Sequence, residues 1–446
     1  MEEVGGELRR RPGALVAPLR VRAFRRLWLA DVISLLGDWA GRLALTVIVL
    51  ERTGSPAWAA GVTAVSLAGF VGVGQVLATL ADRRGRITVM LVADLARAGL
   101  FGLMLLDLPV GGLLVLAFLA GLATPPFEAA RSAAIPDLVP GPGYGDALAL
   151  SGISVQASVV VGNALGGGLL VLVGAKTALG INAVTFLVSS VLVLGLRRTA
   201  AAAPASVDVG IKGSLREGLH DLIGDRLVRR SLVLISITGA LGTVDEALVV
   251  PYADRVGISQ GMLGLLAAAV PVGTILGTIV IPTRGDHRHL LRGASLCAAV
   301  TAALAAPLFL LEVGRAGAFV AFLISGGMFA VSIPTNVVIG TRLRRDTRAS
   351  AMGIAVGVLM GSQALGAALG GVAASWIGPP TAIGAALALA AVFSLWSFVT
   401  TPHEAKHLAR PHRSERRTAE EHSVIDLTAL ETTVGHMTQG ELASAV

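Results

Sequence analysis

Leu80-Ala81-Asp82-Arg83-Arg84-Gly85-Arg86 breaks a long apolar run, and a second run begins directly after it. Four charged side chains are too costly to hold in hydrocarbon, so here the chain leaves a membrane, turns in water and goes back in. Gly85 is expected at the turn itself, because a helix end favours a residue that tolerates positive φ. Apolar stretches of about twenty residues, the length a helix needs to cross roughly 30 Å of hydrocarbon, recur on both sides of this loop. Twelve can be read, near 26–50, 57–81, 87–107, 110–134, 146–173, 177–197, 229–253, 259–283, 289–311, 316–341, 349–375 and 380–400.

The composition agrees. Of 446 residues 54% are hydrophobic and only 15% charged, where a soluble chain carries roughly a quarter. The single cysteine, Cys297, excludes an intramolecular disulfide and reads as a small packing residue. The net charge of +7 does not point to nucleic acid, because the basic residues sit in the breaks between spans. With a cytoplasmic N-terminus, 30 of the 36 lie inside, four outside and two, Arg42 and Arg97, within spans. That bias predicts both termini in the cytoplasm of a bacterial-type plasma membrane. Asp31, Asp38 and Arg42 in the first span argue against a cleaved signal peptide.

The opening stretch resembles the loop between the second and third helices of the major facilitator superfamily, which reads Gly-x-x-x-Asp-Arg-x-Gly-Arg-Arg. Asp82, Arg83, Gly85 and Arg86 stand in their places, with Ala78 for the first glycine and Ile87 for the last basic residue. Phe24-Arg25-Arg26-Leu27-Trp28, Leu36-Gly37-Asp38-Trp39 and the turn from Arg131 to Pro140 are similar to a branch that includes macrolide and siderophore exporters. Gly162-Asn163-Ala164-Leu165-Gly166-Gly167 looks like the Gly-Pro-x-x-Gly-Gly signature of antiporters in that superfamily, with Asn163 replacing the proline. The resemblance implies a gating role for the Asp82 loop, with Asp82 capping the start of the eleventh helix near Thr347 to Ser350. Those backbone N–H groups and the helix dipole favour an anion.

An internal repeat supports the same architecture. A shift of 203 carries Ala44, Gly54 and Gly61 onto Ala247, Gly257 and Gly264, and sets Arg42 against Asp245; a shift of 204 carries Gly162, Gly166 and Gly167 onto Gly366, Gly370 and Gly371. The expected fold is an all-α membrane protein, twelve transmembrane helices in two pseudo-symmetric six-helix bundles related by parallel duplication. The segments are a cytoplasmic arm (1–23), the N-terminal bundle (24–198), a linker with an amphipathic helix (199–228), the C-terminal bundle (229–401) and a polar tail (402–446). Phe24 and Trp28 are expected at the membrane interface, and the double proline Pro125-Pro126 is expected to kink or stop the fourth span.

Such a pair of bundles encloses a midplane cavity opened alternately to either side. Asp31, Ser34, Asp38, Arg42 and Thr46 fall on one stripe of the first helix, with Asp38 about 17 Å in, near the bilayer centre. Asp38, Arg42, Asp245, Glu246 and Asn336 are the leading cavity residues, followed by Gln156, Asn163 and Gln363. Desolvation favours a protonated carboxyl and a neighbouring guanidinium the ionised one, which makes Asp38 with Arg42 the candidate proton-coupling pair; the alternative is an i, i+4 pair that only locks the helix. Asp94 and Arg97 read as a structural ion pair.

The expected activity is proton-coupled efflux of an amphipathic small molecule such as a drug, natural product or siderophore, by a monomer embedded in the lipid bilayer. The proton gradient supplies the energy, with no cofactor, metal, nucleic acid or catalytic residue. The acids outnumber Arg42, which favours cationic or neutral substrates. Uptake of a metabolite or movement of lipid uses the same fold. A receptor or enzyme scaffold is the reading of another class, and no nucleotide-binding loop, metal spacing or serine elbow supports an enzyme.

Overall fold

Residues 14–71, 85–196, 211–281, 286–311, 313–344 and 347–401 are described by the computed structural model, and all of them belong to one compact unit, Met1–Thr401. Asp82, Arg83 and Arg84, the linker 197–210 and the tail from Pro402 lie outside the described residues.

After a short 3₁₀ turn (Ala14–Arg20) come α1 (Arg22–Thr53), α2 (Pro56–Ala68), α3 (Arg86–Leu103) and α4 (Val110–Leu138). The run Gly143–Leu194 is broken at Gly174, φ 78°, into α5 (143–173) and α6 (175–194). The linker helix α7 (Ile211–Gly224) leads to α8 (Arg226–Val256), α9 (Gln260–Val280) and α10 (His287–Leu310). The span Gly314–Arg342 forms α11, with a 3₁₀ stretch at Gly327–Val331; α12 (Arg348–Ile377) and α13 (Pro379–Thr400) close the unit. Nine described runs are long and apolar enough to cross a bilayer. Dividing Gly143–Leu194 and adding α2 and α3 makes the twelve spans.

Contacts establish the duplication. Gly162 and Gly166 of α5 pack on Leu36 and Ala40 of α1, while Gly366 and Gly370 of α12 pack on Ala240 and Val244 of α8. Gly69 meets Gly121 of α4 as Gly273 meets Gly326 of α11. Gly174 and Gly378, both at positive φ, break the chain before α6 and α13. One offset, 204, relates the helix starts Arg22 and Arg226, Leu36 and Ala240, Ala40 and Val244, Gly69 and Gly273, and Gly174 and Gly378. Small residues let the backbones approach, which drives helix association where lipid removes the hydrophobic incentive. Outward-facing Trp376, Leu172 and Val280 are at least 80% exposed, as surfaces meant for acyl chains are.

Several expectations are corrected. Gly85 has φ −58° and serves as the extended residue before α3, so no left-handed conformation is involved. Pro125, Pro126 and Pro136 do not stop α4, which runs on to Leu138; neighbouring helices let a membrane helix carry such residues. Phe24 is 1% exposed, and the half-buried Trp28 donates from Nε1 to Ser154 Oγ at 2.7 Å, so both tie α1 into the bundle.

Candidate functional site

A cavity of two adjoining lobes, about 390 and 360 Å³, lies between the halves. Both lobes share Trp39 and Arg42 of α1, Gln156 of α5, Glu246 of α8 and Gln363 of α12. One adds Asn163, Thr238, Met328 and Phe329; the other extends two helical turns along α1 to Asp31 and takes in Asp38, Arg97 and Glu128. Periodicity puts Asp31, Ser34, Asp38 and Arg42 on one face of α1, and that face is the wall of the second lobe.

Ion pairs organise the charges. Arg42 lies 3.5 Å from Asp38 and 4.6 Å above the Trp39 ring; both charged side chains retain about a fifth to a quarter of their exposure. Arg131 holds Asp31 at 3.1 Å. The buried Asp94 accepts from Arg97 at 2.5 Å and from Ser189 Oγ at 2.6 Å, while the Arg97 guanidinium sits 4.6 Å from the Phe127 ring and 4.4 Å from that of Phe186. Two cavity carboxylates, Glu128 and Glu246, have no ion pair among the described residues. Arg131, Asp31, Arg97 and Asp38 surround Glu128; Arg42 and the adjacent Asp245 are charged neighbours of Glu246.

At the end of the molecule remote from Arg22 and Thr400, the halves cross closely. A Cβ on Gly167 of α5 would lie 2.5 Å from the Gly264 nitrogen of α9, and one on Gly371 of α12 would lie 2.6 Å from Ala60 Cβ of α2. Gln260 Nε2 donates to Glu51 Oε1 at 3.3 Å beside the first crossing. The glycines of the antiporter-like signature therefore divide their work: Gly162 and Gly166 seat α5 on α1, and Gly167 seals one half to the other. Asn163, in the proline position, donates from Nδ2 to Val159 O at 2.9 Å within α5 and lines the cavity.

Asp38, Arg42, Gln156, Asn163, Glu246 and Gln363 thus line one cavity. Asp245 does not line it. This carboxylate is fully buried and accepts from Ser325 Oγ of α11 at 2.5 Å, because adjacent residues of a helix point about 100° apart and Glu246 takes the cavity side. Asn336 also falls outside the lining; it is exposed, one turn beyond the lining residue Ser332. The contact register of 204 pairs Arg42 with Glu246, not Asp245; the αL caps Gly54 and Gly257 keep 203, so the shorter α8 loses a residue beyond this level. Arg86 forms an ion pair with Asp137, joining the loop motif to the last turn of α4. Asp82 and Arg83 are outside the described residues. At the start of α12 the described carboxylate is Asp221 of α7, which accepts from Thr347 Oγ1, and Gly218 packs on Ser350 and Ala351.

Glu128 was missed. It falls within the fourth span as read, beside the double proline, and α4 carries it into the cavity. A carboxylate within an apolar run was the available signal.

The profile of a family described as transmembrane secretion effectors matches residues 13–424. The chain is 26% identical over 358 residues to an uncharacterised major-facilitator-type transporter, YfiS, of Bacillus subtilis, covering 78% of this chain and 86% of that one. It is 28% identical over 362 residues to the multidrug efflux pump Tap of Mycobacterium tuberculosis, covering 77% and 84%. Among solved structures, a POT family transporter in complex with 5-aminolevulinic acid superposes with a TM-score of 0.70 at 12% identity, over 85% of this chain and 96% of that one. An inward-facing bacterial homologue of the lysosomal transporter Spinster gives 0.62 at 17% identity, over 85% and 95%. This chain is a major facilitator membrane transporter and belongs to the transmembrane secretion effector family.

Proposed function

We propose that the protein exports amphipathic small molecules across the plasma membrane in exchange for protons. The observation that carries this is the cavity itself: charged side chains of both halves meet in it, and the Gly167–Gly264 and Gly371–Ala60 crossings close one end. The excess of basic residues supports a cytoplasmic position for the opposite end, which carries Arg22 and Thr400. A substrate then loads from inside the cell. Rocking of the halves opens the glycine crossings and presents it outside. Asp38 and Arg42 are the coupling pair, and Asp82 and Arg83, with Gly85 and Arg86 leading into α3, are the gating loop. The Mycobacterium relative is a multidrug efflux pump, which supports the outward direction.

The test is a panel of drugs and siderophores applied to cells that lack or overproduce the protein. Raised tolerance on overproduction is expected; dependence on an external nutrient in cells lacking it contradicts export.

A further inference from the structure

The starts of α1 and α8 carry the same motif, Arg-x-x-Arg-Arg, at Arg22, Arg25 and Arg26 and at Arg226, Arg229 and Arg230, 204 residues apart. The last arginine does the same work in both copies. Arg26 donates to Gly195 O at 3.0 Å, just past α6, and Arg230 donates to Thr400 O at 2.9 Å, at the end of α13. A cation there answers the carbonyls and the dipole of a helix end.

The C-terminal half adds two arginines to this arrangement. In a register of 201, the buried Val89, Met90, Ala93 and Ala98 of α3 fall on the buried Leu290, Leu291, Ala294 and Ala299 of α10. Arg288 and Arg292 then stand where α3 carries Ile87 and Leu91. Apolar side chains serve at this level of one half, so packing alone does not call for guanidinium groups in the other. Arg292 donates to Thr401 O at 2.7 Å and lies 4.3 Å from the Phe398 ring, and Arg229 donates to Ile223 O at 2.7 Å. Each of these bonds orients a guanidinium through one terminal nitrogen and leaves the rest of its donor fork. The charged neighbours of Arg230 are Arg226, Arg229 and Arg288, all of its own sign. No described ion pair joins Arg226, Arg229, Arg230 or Arg292 to a carboxylate. The acids that flank them in sequence are engaged, Asp225 by Arg342 and as the cap of α8, Asp286 as the cap of α10.

An apolar stripe leads away from this cluster. Leu296, Val300 and Leu304 follow Arg292 at intervals of four along α10 and are exposed, as are Trp396 and Val399 on α13. None of them lines either lobe of the cavity, so the stripe faces acyl chains and ends at the arginines.

We propose that the three arginines at the start of α8, with Arg288 and Arg292 of α10, bind the phosphate of an anionic phospholipid whose acyl chain lies along Leu296, Val300 and Leu304. The guanidinium fork pairs with two phosphate oxygens at once, and several forks around one group favour a net negative headgroup over a zwitterion. Free phosphate offers the same oxygens; the apolar stripe selects the lipid. The leaflet is the one beside Arg22 and Thr400, the inner leaflet in the orientation proposed above. The site holds whichever way substrate moves, so its test and the tolerance panel can fail separately.

Native mass spectrometry of the purified full chain in neutral detergent, titrated with cardiolipin, phosphatidylglycerol or phosphatidylethanolamine, reads the affinities. A saturable site at least about tenfold tighter for the two anionic lipids is expected. Arg288→Ile/Arg292→Leu, which copies the N-terminal half, should lose at least about tenfold for the anionic lipids and stay within about twofold for phosphatidylethanolamine. Arg22→Ala/Arg25→Ala removes the same net charge at two exposed positions of the other half and should leave all three lipids within about twofold. No anionic preference in the wild type overturns the proposal. Equal losses in the two double variants overturn it as well, because net charge alone would then explain binding. Glycerol 3-phosphate in large excess should not displace the lipid; displacement would give the site to free phosphate and overturn it. If Arg288→Ile/Arg292→Leu does not fold, Arg288→Gln decides: a loss of at least about threefold is expected for cardiolipin, and an unchanged affinity overturns the proposal.

Discussion

Arg42 of α1 and Glu246 of α8 occupy equivalent positions in the two halves, 204 residues apart, and carry opposite charges into one cavity. Like charges at these two positions would repel; the opposite signs give attraction across the interface instead. Because the halves move relative to each other, an attraction between them depends on conformation, as a pair within one helix does not.

Replacing Asp38 should separate binding from coupling. Asp38→Asn is expected to fold and to exchange substrate down its own gradient, while an imposed pH gradient no longer drives accumulation. Proteoliposome uptake with and without the gradient checks this. Accumulation at the wild-type level would remove Asp38 from the mechanism.

The Asp94–Arg97 pair is structural, held by Ser189 and flanked by the Phe127 and Phe186 rings. Removing one partner leaves a buried charge uncompensated, a cost of about 3–5 kcal/mol. Asp94→Ala should therefore lower the thermal unfolding midpoint in detergent markedly. The double variant Asp94→Leu/Arg97→Met should recover most of the loss, because an apolar pair of similar volume carries no desolvation cost.

Gly167→Ala should keep the halves from closing at the end opposite Arg22. The added methyl would sit 2.5 Å from the Gly264 nitrogen, too close for either backbone to accept. Gly168→Ala, which meets nothing within 4 Å, is the control. With Cys297 replaced by Ser and Thr63 by Cys, impermeant maleimide applied from outside should label the Gly167→Ala protein faster than the Gly168→Ala protein. Equal rates would mean that the crossing is not a seal.

Asp225 gives a pH-dependent contribution outside the membrane. Burial pushes its carboxyl up. Arg342, donating at 2.8 Å, and the N–H groups of Leu227 and Val228, at 2.7 and 3.2 Å, outweigh that and hold it below the usual carboxylate range. A group lowered in the folded state stabilises above its unfolded value, about 3.9, and that stabilisation disappears as pH falls below it. Asp225→Ala should cost about 1 kcal/mol at neutral pH through the lost helix cap. The difference from wild type should shrink toward pH 3 in thermal unfolding followed by circular dichroism.

Spans and duplication were legible because hydrocarbon thickness imposes a segment length and repeated glycines mark close crossings. What misled was local chemistry with two outcomes. Pro125 and Pro126 signal a kink or a helix end in water, but in a bundle α4 runs through them. Gly85 suggested positive φ where the chain needs only an extended residue. Asp245 and Glu246 are neighbours in sequence, and only packing decides which one enters the cavity. A one-residue slip in the repeat then paired Arg42 with the wrong acid, because alanine, leucine and valine tolerate either register.

The most direct test of proton-driven export is transport of tetraphenylphosphonium into inside-out membrane vesicles with an acidic lumen. The cation should accumulate against its gradient, lose that accumulation when the pH difference is collapsed with the membrane potential clamped at zero, and fail to accumulate with Asp38→Asn. Undiminished accumulation after the collapse would contradict the account.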